Sequence, residues 1–157
     1  VGEVQINTPW RMLGYRNEPQ LTANVLNAEG WFRSGDGGYL DEEGYLFLTD
    51  RINDMIVTGG ENVMPSEVEN ILAEHRGVAQ AAVFGLKDPV WGETVCAAIV
   101  SRAGETVTDD DLVQFSRSRL AHYKCPKRVV FVKELPLSPT GKVLRRALRQ
   151  QYAAAPA

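Results

Sequence analysis

The sequence is poor in the residues that define disulfide-rich, zinc-binding and membrane-spanning proteins. Its 157 residues include two cysteines, Cys96 and Cys125, which cannot build a disulfide framework and do not stand at the CxxC spacing of a zinc site. The longest fully apolar run, residues 95–100, is far shorter than the ~18 residues that a spanning helix needs. No charged-then-apolar leader opens the chain, so nothing indicates secretion. We expect a cytoplasmic protein without a metal site or a transmembrane segment.

The composition is that of an ordinary globular chain, but the charge is unevenly distributed. Hydrophobic residues make up 44% and charged residues 24%, near the soluble average, and the length allows about one domain. Residues 1–111 hold 7 Lys and Arg against 19 Asp and Glu, a net charge of −12. Residues 112–157 hold 10 against 1, a net charge of +9. The basic end predicts an anionic partner (phosphates, nucleic acid or a membrane face), unless the two halves pair in space and neutralise each other.

The first fifty residues are predicted to be β-structure. Residues 3–7 alternate polar and apolar side chains, which is strand periodicity. Residues 35–40 and 45–48 indicate two short strands around an acidic turn. The segment has no local core large enough for its aromatic residues. We therefore expect residues 1–50 to be the all-β end of a larger domain that lies upstream.

Beyond residue 50, helical and strand patterns alternate. Pro65 at a first helical position, followed by acidic residues, predicts a helix over 65–75. Thr108 followed by three aspartates predicts a second helix start. The remaining predicted elements are strands near 78–86, 93–101 and 129–132, and a short helix near 143–152. This alternation predicts an α+β domain over residues 51–157, in which helices cover a small sheet.

Asp36 is the first candidate for chemistry. It stands in a glycine-rich turn beside the aromatic residues Trp31 and Phe32, and its two carboxylate oxygens suit a vicinal diol such as a ribose. An Asp beside glycines is also a common turn residue, and the sequence leaves that alternative open.

Residues 50–62 form a polar segment between the two predicted regions, which is typical of a hinge. Gly59 and Gly60 allow a positive φ or a close approach of the backbone to a ligand. A plain connecting loop is the alternative.

Lys142 is the third candidate, at the end of a loop that Pro136 and Pro139 stiffen. Gly141 frees the backbone beside it, and a mobile ammonium stabilises negative charge that builds on phosphate and carboxylate oxygens. The loop is not a Walker A loop, because the first glycine and the Ser or Thr after the lysine are absent. A solvated surface lysine is the alternative.

Taken in this order, these segments resemble the C-terminal signatures of the adenylate-forming superfamily, in particular the acyl-CoA synthetases. The resemblance covers residues 2–152. It runs through the aromatic-Arg-Ser-Gly-Asp motif that ends at Asp36, the Asp-Arg-x-x-Asp-x-Ile segment 50–56, the Gly-Gly-Glu-Asn stretch from Gly59, and the Pro-x-x-x-x-Gly-Lys motif that ends at Lys142. It implies an acid–thiol ligase that activates a small carboxylic acid with ATP and transfers the acyl group to coenzyme A. The implied cofactors are ATP, Mg²⁺ and coenzyme A.

The resemblance also implies roles for individual residues. Asp36 matches the residue that binds the ribose hydroxyls, and Arg51 matches the arginine that helps to hold the same nucleotide. Lys142 matches the adenylation lysine, and Asn53 stands at the hinge about which the lid rotates between the half-reactions. The implied coenzyme A residues are Gly59, Gly60 and Glu61 in the channel loop and, more loosely, Trp91, Tyr123 and Lys127. Packing of Trp91 and Tyr123 on the sheet is the alternative for those two.

The resemblance further implies that this chain is the last stretch of a large N-terminal domain plus the whole C-terminal lid. It would need the rest of the enzyme, would be inactive alone, and could form a homo-oligomer. Two other functions stay open: an adenylation domain that loads a carrier protein, and a non-enzymatic α+β module that binds nucleotides or RNA through its basic end. The second would need aromatic residues among Lys and Arg on an exposed sheet face, and only Tyr123 lies near that cluster. We therefore expect no nucleic-acid partner.

Overall fold

The computed structural model describes residues 2–153, which fall into two compact units divided between Asn53 and Asp54. The boundary predicted from the sequence, between residues 50 and 51, lies three residues earlier. Each unit has its own β-sheet, with three strands in the first and five in the second. No helix within residues 2–153 is long and apolar enough to cross a membrane.

The first unit is built on a three-stranded antiparallel sheet. Its strands are β1 (Gly2–Ile6), β2 (Phe32–Leu40) and β3 (Leu46–Arg51), in that order across the sheet. The β2–β3 hairpin is the one that the sequence predicts, and Asp41 closes its turn by accepting the N–H groups of Glu43 and Tyr45.

A short helix, α1 (Pro19–Val25), also belongs to this unit, and the sequence analysis did not predict it. The helix buries no residue and has no side-chain cap. It therefore lacks the apolar stripe from which periodicity identifies a helix. Pro19 at the helix start was the available local signal.

The second unit contains a five-stranded mixed sheet centred on β7 (Gly92–Ser101). One edge of β7 pairs antiparallel with β6 (Val78–Asp88). The other edge pairs with β4 (Ile56–Thr58) and, in parallel, with β8 (Arg128–Phe131). β5 (Glu61–Val63) pairs with β4 alone.

The segment after Arg51 is more ordered than a connecting loop. A 3₁₀ turn (Ile52–Asp54) leads into the β4–β5 hairpin, whose turn residues Gly59 and Gly60 have φ of +60° and +85°. Strands of three residues are too short to show an alternating pattern, so the sequence analysis missed both. Only glycine adopts such φ values readily, which explains the glycine pair.

Helices cover both faces of the second sheet. They are α2 (Pro65–Ala73), α3 (Asp109–Arg117) and α4 (Arg145–Tyr152). Successive residues of β6 face opposite sides: Val83 packs with buried residues of α2 and α3, whereas Phe84 packs with Leu148 of α4. The helices and strands predicted beyond residue 64 are therefore confirmed, within a few residues at their ends.

Part of the basic C-terminal charge is neutralised inside the second unit. This agrees with the alternative in which the acidic and basic halves of the chain pair in space. Four basic side chains pair with acidic residues from the segment 54–74. The pairs are Lys124–Glu67 at 2.6 Å, Arg145–Glu69 at 2.7 Å, Arg149–Asp54 at 3.2 Å and Arg119–Glu74 at 3.8 Å. Lys127 and Lys142 have no ion pair within residues 2–153, so they stay available to an anionic ligand.

Candidate functional sites

Asp36 and Arg51 lie side by side on the first unit's sheet. They face each other across β2 and β3, and the guanidinium Nε of Arg51 lies 3.0 Å from Oδ1 of Asp36. Both side chains are partly exposed. A carboxylate beside a guanidinium presents an acceptor for hydroxyl groups and a donor for anionic oxygens within one small patch.

Local hydrogen bonds hold this pair in place. Gly35 has a φ of +74°, which turns the chain just before Asp36. The hydroxyl of Ser34 accepts the N–H of Asp36 at 3.1 Å and donates to the carbonyl of Val4 in β1 at 2.8 Å. Ser34 is thus a supporting residue that the sequence analysis did not single out, because its partner Val4 lies thirty positions away.

Lys142 lies near the C-terminal end of a small loop whose two sides are joined by hydrogen bonds. The N–H of Ser138 donates to the carbonyl of Lys142 at 2.8 Å, and the N–H of Lys142 donates to the hydroxyl of Ser138 at 3.1 Å. Leu137 and Val143 form a β-bridge across the loop, and Gly141 takes a φ of +79°. The backbone is therefore fixed, while the Lys142 side chain is exposed.

Asn53 is exposed, in the middle of the 3₁₀ turn Ile52–Asp54. It is the last residue of the first unit. Asp54, which follows, is held within the second unit by Arg149 at 3.2 Å and by Arg145 at 3.6 Å. At least one polar residue of this hinge candidate, Asp54, therefore has a structural role, because it forms ion pairs within the second unit.

Three of the predicted coenzyme A residues come together in the second unit. The Nζ atom of Lys127 lies 4.1 Å from the centre of the Trp91 ring, which is a cation–π contact. The N–H of Gly59 donates to the carbonyl of Trp91 at 2.8 Å. About half of the Trp91 surface is exposed, so the ring is not a core residue. This argues against the alternative in which Trp91 packs on the sheet.

The other predicted coenzyme A residues are placed differently. Gly60 and Glu61 are exposed at the tip of the β4–β5 hairpin. Tyr123 lies in the 3₁₀ turn His122–Lys124, where the Nζ atom of Lys124 is 5.9 Å from its ring centre. Tyr123 is 37% exposed, so it also is a surface residue.

Asp88 positions Trp91, and the sequence analysis did not identify it. Its Oδ1 accepts the N–H of Trp91 at 2.9 Å and the N–H of Val90 at 2.8 Å. These two hydrogen bonds, that of Trp91 first, lower the pKa of the Asp88 carboxyl, and the positive charge of Lys127 adds to the effect. The sequence Lys87-Asp88-Pro89 favours a turn and was the local signal, since an Asp in a turn commonly accepts N–H groups two or three positions later.

A cleft of about 700 Å³ opens beside Asp88 and Lys127. That volume lies in the range of small-molecule sites. Four basic side chains, Lys87, Lys127, Arg128 and Arg149, outnumber the two acidic ones, Asp88 and Glu93, in its wall. Such a wall suits a ligand that carries phosphate groups.

Neither thiol is suited to nucleophilic chemistry. Burial raises the pKa of Cys96 to about 11 and also raises the pKa of Cys125 above its ordinary value. Within residues 2–153, no group of three or more His, Cys, Asp or Glu side chains is arranged to hold a metal ion.

The fold of the second unit and its lysine loop define a small C-terminal domain of AMP-binding enzymes. Residues 67–142 match the family described as the AMP-binding enzyme C-terminal domain. The chain carries the C-terminal domain of the adenylate-forming enzyme family. The resemblance found in the motifs and the α+β fold are both confirmed.

Individual relatives agree with this assignment. The chain is 44% identical over 153 residues to the long-chain-fatty-acid–CoA ligase FadD13 of Mycobacterium tuberculosis. The alignment covers 98% of this chain and 30% of FadD13. It is 47% identical over 152 residues to the fatty acid–[acyl-carrier-protein] ligase ScoC of Streptomyces coeruleorubidus, covering 97% and 29%. Among solved structures, ATP-bound MatB of Rhodopseudomonas palustris matches with a TM-score of 0.92 at 34% identity, covering 98% and 30%. The chain thus spans about 30% of the length of these relatives.

Proposed function

We propose that this chain works as the C-terminal part of an AMP-forming acid–thiol ligase, an acyl-CoA synthetase. The observation that carries the proposal is Lys142, an exposed ammonium at the end of a loop whose backbone is fixed by the Ser138–Lys142 hydrogen bonds and the Leu137–Val143 bridge. Residues 1–50 would belong to a large N-terminal domain, and residues 51–157 would be a lid that rotates about Asn53. The first half-reaction and the second would then use different faces of the lid.

In the first half-reaction, a carboxylate oxygen of the substrate acid attacks the α-phosphorus of ATP, and pyrophosphate leaves. Asp36 would accept the ribose hydroxyls, and Arg51 would support the same nucleotide from the facing strand. Lys142 would stabilise the negative charge that builds on the phosphate and carboxylate oxygens in the transition state. The exposure of all three side chains supports this proposal, since each is accessible to a ligand.

In the second half-reaction, the coenzyme A thiolate attacks the acyl carbon of the adenylate, and AMP leaves. Gly59, Gly60 and Glu61 would line the path of the pantetheine arm. Trp91 and Lys127 would meet the nucleotide end, with the ring for adenine and the ammonium for phosphate. The basic cleft beside Lys127 supports this assignment.

A carrier protein is the second candidate for the acyl acceptor. It is favoured by the 47% identity to ScoC, whose name gives an acyl carrier protein as acceptor. The Lys127–Trp91 contact favours coenzyme A instead, because a carrier protein has no adenine for the ring to contact. The RNA-binding alternative lacks support, since helices cover both faces of the five-stranded sheet.

The test uses the full enzyme that contains this chain. We expect acid-dependent exchange of pyrophosphate into ATP, followed by AMP formation that requires coenzyme A. Replacement of coenzyme A by a carrier protein with its phosphopantetheine arm would identify the second acceptor. The isolated 157-residue chain should show neither activity, and exchange by that chain alone would contradict the proposed need for a large N-terminal domain. We propose the cytoplasm as its location, where its two unpaired cysteines stay reduced.

A further inference from the structure

A partly buried ionic network lies at the base of the Lys142 loop. Its centre is Arg145, three residues after Lys142 and the first residue of α4. The Nη2 atom of Arg145 donates to both carboxylate oxygens of Glu69 in α2, at 2.7 and 2.9 Å. The side chains of Arg145 and Glu69 are 17% and 19% exposed, so water competes little for this pair.

The same pair makes hydrogen bonds to the backbone of an edge strand of the sheet. The backbone of Val83, in the edge strand β6, donates its N–H to Glu69 at 2.7 Å and receives the Nε–H of Arg145 at its carbonyl at 3.0 Å. Arg145 is therefore held in a fixed position by one helix and one strand. Planar guanidinium groups hold such positions better than a flexible ammonium, because several donors are fixed at once.

The network also reaches the first residue after the hinge candidate. Oδ2 of Asp54 lies 3.6 Å from Nη1 of Arg145, and its Oδ1 accepts from Arg149 at 3.2 Å. Asp54 thus joins the hinge segment to the start of α4, three residues from Lys142. The Lys142 loop itself is tied by contacts among its own residues, so its placement on the domain depends on its two ends.

We propose that Arg145 is the positioning residue for Lys142, and that Glu69 and Asp54 hold it so that the ammonium is placed for adenylation. This inference rests on the proposed function. It predicts that Arg145 acts on one half-reaction only and only through Lys142. A residue that merely stabilised the fold would affect both half-reactions and would do so whether or not Lys142 is present.

The experiment measures the two half-reactions separately in the full enzyme for Arg145→Met, Lys142→Ala and the double variant. We expect Arg145→Met to slow pyrophosphate exchange about 10- to 100-fold through kcat, because a small misplacement of a charge stabiliser is costly. The KM for ATP and thioester formation from supplied acyl-adenylate should change less than about twofold. The double variant should be no slower in exchange than Lys142→Ala alone.

Arg146→Met is the matched control, since Arg146 is the next residue of α4, is exposed, and makes no ion pair within residues 2–153. It should behave as the wild type in both half-reactions. Glu69→Gln provides a second, milder variant should Arg145→Met fail to fold, and it should show the same pattern with a smaller loss. Limited trypsin cleavage after Lys142 gives a readout independent of activity, and it should be faster in the Arg145 and Glu69 variants than in Arg146→Met.

Losses that multiply in the double variant, or an equal loss in both half-reactions, would overturn the positioning role. So would wild-type exchange and wild-type cleavage in Glu69→Gln and Arg145→Met. Absence of exchange in the wild type would instead contradict the proposed function, while the cleavage result would still report on the loop.

Discussion

The α-carbon of Gly59 lies directly against the indole ring of Trp91. A Cβ atom placed on Gly59 would be 2.9 Å from Cε3 of that ring, closer than side-chain carbons normally approach one another. The ammonium of Lys127 contacts the same ring, with its Nζ atom 4.1 Å from the ring centre. The glycine of the hairpin turn and the lysine just before β8 thus both contact one aromatic side chain, and any displacement of that ring changes the proposed coenzyme A surface.

Gly59→Ala should therefore weaken the use of coenzyme A. The new methyl group forces the Trp91 ring away from its place under Lys127, and we expect a several-fold increase in the KM for coenzyme A. Gly104→Ala is the matched control, because Gly104 also has a positive φ, +82°, but lies outside the proposed site, and a Cβ there would meet nothing within 4 Å. Both variants carry similar backbone strain, so equal effects on coenzyme A kinetics would show that strain, and not the Trp91 contact, is responsible.

Lys142→Ala should strongly slow adenylation and spare the second half-reaction. Removal of one charge-stabilising group costs ~3–4 kcal/mol of transition-state stabilisation, so we expect exchange of pyrophosphate to fall about 10²- to 10³-fold. Transfer from supplied acyl-adenylate to coenzyme A should stay near the wild-type rate. Lys133→Ala, which changes another exposed lysine of the same unit, serves as the control. Unchanged exchange in Lys142→Ala would make Lys142 an ordinary solvated lysine.

Asp36→Asn should raise the KM for ATP. The amide keeps the size of the side chain but loses the charge that strengthens hydrogen bonds to ribose hydroxyls, a contribution of about 1.5–3 kcal/mol for charged acceptors. This corresponds to roughly a 10- to 100-fold weaker use of ATP. Asp41→Asn, at the turn of the same hairpin, is the control for a purely structural effect. If both variants kept the wild-type KM for ATP, Asp36 would serve only to pair with Arg51 in the sheet.

The capping box of α3 should make stability depend on pH. Hydrogen bonds from the hydroxyl and then the backbone N–H of Thr108 lower the pKa of Asp111 in the folded chain. The carboxylate therefore stabilises the fold at pH values above its unfolded pKa near 4, and this contribution is lost as the pH falls through the lower folded pKa. Asp111→Asn should destabilise the chain at pH 7 and have a smaller effect at pH 3.

Denaturant unfolding of wild type and variant at pH 7, 5, 4 and 3 measures this dependence. Asp110→Asn removes a neighbouring first-turn carboxylate that is not part of the capping box, so it controls for the general effect of charge at the helix start. A destabilisation by Asp111→Asn that is the same at every pH would contradict the argument.

Local signals explain why much of the fold was predictable. The proline at the start of α2, the Thr-Asp-Asp-Asp start of α3 and the alternating strands β6 and β7 each follow from neighbouring residues alone. The helix α1 and the strands β4 and β5 were missed, because a helix without an apolar face and strands of three residues leave no periodic pattern.

The motifs identified the side chains of the candidate site but not the residues that hold them in position. Asp36, Arg51 and Lys142 carry recognisable local contexts, and the sequence determined which chemical groups the chain offers. Which residues hold those groups was decided by the tertiary structure: Glu69 meets Arg145 across 76 positions, and Lys127 meets Trp91 across 36. Pairings over such distances depend on how the sheet and helices pack. No periodicity or spacing within a short window contains that information, because the free energy that fixes each partner arises only when distant elements are brought together.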